Sequence, residues 1–251
     1  MFVLIDLHRQ PLLDALPACG SENCILLLTD LMRNEELEDE HAQSVLTTIA
    51  LMPHPSPQSS PRSMSSICNQ STALLEVPKV RSRALLTGSS LVYQLCHRSQ
   101  TSCSELPQVQ TFIQSLEETL KDGCEEQEPT QVKELLYALK SVGNAGLWAG
   151  AFIPLLTRCA VSPSAALELR LAAVQAFRRI PCSDNRSVLL QLYRSSQEDP
   201  EVRTAAYQQI MRCPDQDLFR TVKETLRNET SSQVGSYVWS HLTNVLRSED
   251  P

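Results

Sequence analysis

The feature that most constrains this chain is a repetition inside it. Glu168-Leu169-Arg170 and Ala172-Ala173 are followed by Gln175, Phe177, Arg179 and Pro181. At a constant offset of 33 come Glu201-Val202-Arg203, Ala205-Ala206, Gln208, Ile210, Arg212 and Pro214. In both copies the apolar positions fall on one face of a helix: Leu169, Ala172, Ala173 and Phe177 in the first, Val202, Ala205, Ala206 and Ile210 in the second. Paired alanines let a neighbouring helix approach closely, while the larger residues fill the space beside them. A period of two helices, in which no single repeat buries its own apolar face, is the signature of a solenoid. The fold class expected is all-α: an α-solenoid, a superhelical double layer of paired helices.

Composition agrees. Seven glycines in 251 residues are too few for many hairpin turns, and a chain 42% hydrophobic but only 5% aromatic builds its core from Leu, Val, Ile and Ala. Residues 1–52 read as N-terminal helices, with Ser21 capping one through Leu31 and the acidic run Glu35 to Glu40 preceding another. Residues 53–79, with Pro53, Pro55, Pro57 and Pro61 among serines, read as a linker or loop. Residues 80–251 read as the continuous helical-repeat segment. Helices are expected near Arg81–His97 and Pro107–Lys121, then through Val132 to Leu139, ending at the turn Gly143-Asn144-Ala145-Gly146. Ser162-Pro163 and Asp199-Pro200 each pair an N-cap side chain with proline at the first helical position. Asp184 or Asn185 is expected to cap the helix of Val188 to Tyr193.

Little in the chain points to catalysis. It lacks GxSxG, a phosphate-binding glycine loop and HExxH, and the run from Glu35 to Glu40 suits a solvated helix start. The chain is read as no enzyme, with no cofactor and no metal. The five histidines are scattered, and Cys96-His97 with Cys103 lacks the CxxC spacing of a zinc site. A net charge of −7 and a pI near 5.3 count against nucleic acid, and Arg170, Arg178 and Arg179 read as the solvated face of one helix. Trp148 and Trp239 read as core residues. No stretch is long and apolar enough to span a bilayer. Met1 to Leu7 is short and carries Asp6, unlike a secretory leader, which leaves a fragment of a longer precursor or an intracellular protein.

Nine cysteines are many for an intracellular helical protein, and three N-glycosylation sequons begin at Asn69, Asn185 and Asn228. Together they favour the secretory pathway. Cys96 and Cys103 flank a loop after a helix, as a local disulfide would. Cys124 precedes one helix and Cys159 ends the next, so antiparallel packing would bring them together. Cys68, Cys182 and Cys213 are left without assigned partners.

The block from Leu135 to Gly146, with its Gly-Asn-Ala-Gly turn, resembles the large lipid transfer proteins, the family of vitellogenin and apolipoprotein B. Leu171 to Arg179, Glu201 to Tyr207 with Met211-Arg212, and Gln233 to Leu242 resemble successive helices of that family. The resemblance runs from about Pro11 to Pro251. Cys19-Gly20-Ser21-Glu22-Asn23-Cys24 resembles a small cysteine loop of the apolipoprotein branch, which implies a Cys19–Cys24 bridge, and Cys124 with Cys159 resembles another disulfide of that branch. The resemblance implies a double-layered horseshoe that braces β-sheets forming a lipid cavity. It implies phospholipid and triglyceride as partners through β modules absent from this chain, the microsomal triglyceride transfer protein as a protein partner, and secretion through the endoplasmic reticulum. The inner face of the arch is expected to expose apolar residues that meet those sheets. The alternative is an intracellular helical-repeat scaffold that binds protein partners on its concave face.

Overall fold

The computed structural model describes residues 11–19, 21–51, 72–98, 103–125, 128–146 and 149–247, and these hold helices and turns with no strand. The α-helices are α1 (Glu22–Arg33), α2 (Asp39–Leu51), α3 (Arg81–Arg98), α4 (Pro107–Leu120), α5 (Pro129–Ala145), α6 (Ile153–Val161), α7 (Leu167–Gln175), α8 (Ser187–Arg194), α9 (Pro200–Ile210), α10 (Gln216–Arg227) and α11 (Ser232–Arg247).

Local sequence starts several of them. Ser21 Oγ accepts from the Cys24 amide at the head of α1. Asp199 Oδ1 accepts from the Glu201 amide at 2.7 Å, with Pro200 as the first residue of α9. Asp215 Oδ1 accepts from the Leu218 amide at 2.7 Å and opens α10. Each satisfies an amide that has no partner inside its helix.

Other expected starts are displaced. Ser162 and Pro163 lie in a turn, and α7 begins only at Leu167, after Ala166, which offers no side-chain cap. The repeat explains this: Ala166 and Leu167 stand 33 residues before Asp199 and Pro200, so the stacking register sets the start and the Ser-Pro signal does not. Buried Ala165 holds the intervening turn against the core. At α8 the flanking residue is Arg186, and Asn185 Oδ1 accepts from the Ser187 amide at 2.9 Å.

The helices form two layers. α2, α3, α5, α7, α9 and α11 lie side by side in one, while α4, α6, α8 and α10 form the other, each packed on its successor in the first. Neighbours in the first layer approach closely and those in the second are spread, so the stack curves with the first layer inside. This is the expected double-layered horseshoe. The tail of the stretch read as loop is docked: Leu74 and Leu75 are buried, and residues 53–71 lie outside the described part. On either side of that stretch α2 packs on α3, where Thr87 Oγ1 donates to Leu46 O at 2.9 Å.

Burial follows the repeat. Leu169, Ala173 and Phe177 are fully buried, as are Val202 and Ala206, with Ala172, Ala205 and Ile210 almost so. The rings of Tyr193 and Tyr207 lie 5.4 Å apart between α8 and α9, and Tyr207 meets Tyr237 of α11 edge-on at 6.1 Å. Because Ala173 and Ala206 have no room beside them, Ala→Leu at either position is expected to cost about 1–3 kcal/mol through overpacking. Urea unfolding of both variants measures this, and unchanged midpoints in both would contradict the packing register.

Candidate functional site: the inner face and its arginine-stitched edges

Arg170 and Arg203 occupy the same position in the two repeats, and the structure uses them in the same way. Arg170 Nε donates to Ala160 O at 3.1 Å, and Arg203 Nε donates to Tyr193 O at 3.0 Å. Those carbonyls belong to the last turns of α6 and α8, which have no amide partner further along the helix and form its negative end. Each guanidinium then reaches forward to a carboxylate. Arg170 meets Glu198 at 2.6 Å, and Arg203 grips both oxygens of Glu229 at 2.9 and 2.5 Å. Glu198 accepts from the Asp199 amide, and Glu229 from the Thr230 and Ser231 amides, so both stand just ahead of the next inner helix. Each arginine therefore joins its own helix to the outer helix before it and the inner helix after it.

The opposite helix ends are stitched in a similar way. Arg178 donates to Lys140 O at 2.8 Å, Asn144 Oδ1 at 2.6 Å and Gln175 O at 3.0 Å. Arg179 donates to Asn144 O and lies 3.8 Å above the Tyr93 ring. Arg186 donates to Phe177 O, Ile180 O and Gln209 O. Burial, and then the charges of Arg179 and Arg212, push the pKa of Arg178 down to about 10. The expectation that Arg170, Arg178 and Arg179 form a solvated face fails for Arg170 and Arg178, which tertiary stacking turns onto carbonyls of other helices, while Arg179 is exposed as it donates to Asn144 O.

The Gly-Asn-Ala-Gly segment is the docking platform for two of these arginines. Only Gly146 is left-handed, at φ +88°, and a Cβ there would lie 2.6 Å from Tyr93 Cδ2. Gly143 lies inside α5, where a Cβ would lie 2.8 Å from the Ala176 Cα and collide with Arg178. It serves close approach, not the turn.

Over α7, α9 and α11 the inner face forms a shallow groove of about 620 Å³. Leu171, Ala205 and the Tyr237 ring line it together with polar Gln175, Thr204, Gln208 and Gln233 and a single charge, Glu201. Gln208 Nε2 donates to the Tyr237 hydroxyl at 2.6 Å, and the Tyr207 hydroxyl lies 2.9 Å from His241 Nδ1. This stretch of the inner face mixes amides and hydroxyls with apolar surface of the kind expected. Large apolar residues are exposed on the last hairpin, at Phe219, Trp239, Val245 and Leu246, and also at Leu12, Leu27, Leu51, Val161 and Leu167. Trp239 is 66% exposed and so is no core residue, because the stack offers α11 no further helix on that side among the described residues. Trp148 lies outside the described part.

The structure joins Cys19 to Cys24, Cys96 to Cys103 and Cys124 to Cys159, with Cα atoms 6.3, 5.2 and 5.3 Å apart. It also joins Cys182 to Cys213, with Cα atoms 5.6 Å apart, a pair that sequence reasoning missed. The available signal was the repeat itself. Both cysteines lie beside a proline in the connection after a repeat helix, 31 residues apart against an offset of 33. Cys68 and Asn69 lie outside the described residues, while Asn185 and Asn228 are exposed. Among the described residues no cluster suited to a metal ion occurs, and no helix is long and apolar enough to cross a membrane.

Repeated helix pairs, stitched at corresponding positions by arginine, define a helical-repeat domain. The chain belongs to the family described as the vitellogenin TPR domain, whose model matches residues 6–243. It is 26% identical to apolipophorins of Locusta migratoria over 97% of this chain and 7% of that protein. It is 28% identical to apolipoprotein B-100 of Homo sapiens over 98% of this chain and 5% of that protein. It is 27% identical to vitellogenin of Acipenser transmontanus over 98% of this chain and 14% of that protein. The chain thus spans a small part of the length of these relatives. A solved structure of lipid–protein interactions in lipovitellin shares the fold, with a TM-score of 0.73 and 21% identity over 99% of this chain and 26% of that one. The family is one of lipid-transport proteins.

The Arg203–Glu229 pair is the most enclosed stitch, with side chains 3% and 4% exposed. Glu229→Gln leaves a buried guanidinium without its counter-charge and is expected to cost about 3–5 kcal/mol in urea unfolding near neutral pH. Burial pushes the Glu229 carboxyl up, but the Arg203 hydrogen bonds and charge, with the Ser231 and Thr230 amides, hold it below its ordinary value. A lowered folded-state pKa gives stability that is fully present above the unfolded value of about 4.3 and lost as pH falls through the folded one. Urea midpoints measured from about pH 6 to about pH 3 should therefore fall more steeply in the parent than in the Glu229→Gln variant.

Proposed function

We propose that this chain is the helical arch of a lipid-transport protein, bracing the lipid cavity of a lipoprotein- or yolk-type particle without itself enclosing the lipid. The observation that carries the reading is the family match over residues 6–243 on a two-layer stack whose apolar stripes are spent on neighbouring helices. Acyl chains need an apolar enclosure, because sheltering them from water is what makes their binding favourable. The groove over α7, α9 and α11 is open and not enclosed, and among its apolar residues stand amides and hydroxyls. Burying these against an acyl chain would cost about 1–3 kcal/mol for each group left unpaired. Phospholipid and triglyceride are therefore assigned to β modules outside this chain, with the microsomal triglyceride transfer protein as a candidate protein partner. The arch contributes stiffness and no catalysis.

The same reading places the chain in the secretory pathway. Cys19–Cys24, Cys96–Cys103 and Cys124–Cys159 are proposed as oxidised pairs of the mature protein, and Asn69, Asn185 and Asn228 as glycan acceptors. Asn185 and Asn228 are exposed on connections at helix ends, which supports their use. Closing the loop between Cys124 and Cys159, a separation of 35 residues, is worth roughly 3–4 kcal/mol in the chain-entropy model.

Two measurements test the proposal. Chain purified from an oxidising, glycosylating compartment should carry far less than one lipid per molecule when extracted and quantified by mass spectrometry. Several phospholipid or triglyceride molecules retained through gel filtration would make the arch itself the carrier and defeat the division of labour. In the same preparation N-glycosidase should lower the mass at Asn185 and Asn228, and peptide mapping should find Cys124 joined to Cys159. Bare asparagines with free thiols would favour the intracellular scaffold instead.

A further inference from the structure

The four disulfides differ in what they join and in how open they are to solvent. Cys124 and Cys159 are almost fully buried, and Cys96 is buried beside half-buried Cys103. Cys19 is exposed, but its bond to Cys24 spans only 5 residues at the start of α1 and joins nothing distant. Cys182–Cys213 is the pair that is both open and long-range: Cys182 is exposed, Cys213 is half-buried, and the bond ties the α7–α8 connection to the α9–α10 connection. Both cysteines border a cleft of about 310 Å³, with Arg186, Leu190, Asp215 and Leu218 among its walls. That is room for a small molecule.

A second bridge runs close by, from the α7–α8 connection to the last turn of α9. Arg186 donates to Phe177 O and Ile180 O on one side, and to Gln209 O at 3.1 Å on the other. Ile180 and Ile210 are buried beneath it. Arg186 therefore links the two repeats independently of the sulfur–sulfur bond, as a reversible site requires.

We propose that Cys182–Cys213 is a thiol-exchange site for a low-molecular-weight thiol of the glutathione class. The thiolate attacks the sulfur of exposed Cys182, the bond to Cys213 breaks, and Cys213 leaves as a thiolate that takes a proton from water. The product is a mixed disulfide on Cys182 and a thiol on Cys213. A second thiol molecule displaces the first from Cys182, which leaves two protein thiols and one oxidised thiol dimer. Access decides which sulfur is attacked, since exchange needs the incoming sulfur in line with the bond it breaks.

The test incubates the whole chain in glutathione buffers of rising reducing strength, traps thiols by alkylation and reads each cysteine by peptide mass spectrometry. The glutathione adduct should appear on Cys182, with Cys213 as thiol, at a reduced-glutathione level about tenfold or more below that opening Cys124–Cys159. Far-UV circular dichroism should not change over that interval. The variant C182S/C213S should keep the parental helical signal and take up no glutathione at those levels. Opening of Cys182–Cys213 only together with Cys124–Cys159, or only as helix is lost, would overturn the proposal. So would an adduct on Cys213, or a C182S/C213S chain that fails to fold while C19S/C24S folds.

Discussion

An α-helix ends with carbonyls that have no amide to accept from, and a stack of short helices multiplies those ends. Here arginine answers the difficulty again and again. Arg170 and Arg203 cover the last turns of α6 and α8, Arg178 and Arg179 the end of α5, and Arg186 the ends of α7 and α9. Each bond places a positive charge at the negative end of a helix. Because the donor always comes from another element, capping a helix and docking a repeat become one interaction. The alanine pairs and the aromatic contacts of Tyr193, Tyr207 and Tyr237 can pack closely because these stitches set the spacing of the helices.

The stitches also account for the mechanical character of the domain. Breaking a buried ion pair strands a charge, so the Arg203–Glu229 contact resists sliding of α11 against α9 more strongly than apolar packing would. Apolar contacts tolerate small shifts, whereas a two-pronged guanidinium–carboxylate grip admits one geometry. Curvature held in this way suits a brace. It suits a container less well, since most apolar side chains are already used between helices and the inner groove is open to solvent. Uncovered apolar residues among the described ones include Trp239 and Leu246 at the last hairpin and Leu12, Leu51 and Leu167 elsewhere.

Much of the fold could be read from the chain because the relevant information is local. Periodic apolar residues, Ser21, the Asp199-Pro200 pair and the copy at an offset of 33 act over about one helical turn or one repeat. They fixed which segments are helical, which faces are buried and that the helices stack in pairs. The failures have a common cause. Ser162-Pro163 is a sound local start signal, but the register imposed by neighbouring helices outweighs it, and Trp239 looks like a core residue until the stack leaves its side of α11 uncovered.

By itself, then, the sequence determined the helices and their buried stripes, which depend on residues a few positions apart, and the solenoid class, which depends on the copy at an offset of 33. Only the tertiary structure decided the roles of the arginines, of Gly143 and of the Cys182–Cys213 pair. Arg203 finds Glu229 at a separation of 26 residues, Arg170 finds Glu198 at 28 and Arg178 finds Asn144 at 34. Nothing within a helical turn of those arginines marks them as different from solvated ones. Their partners exist only after the repeats have stacked, because stacking brings one helix's unsatisfied carbonyls within reach of the next helix's side chains.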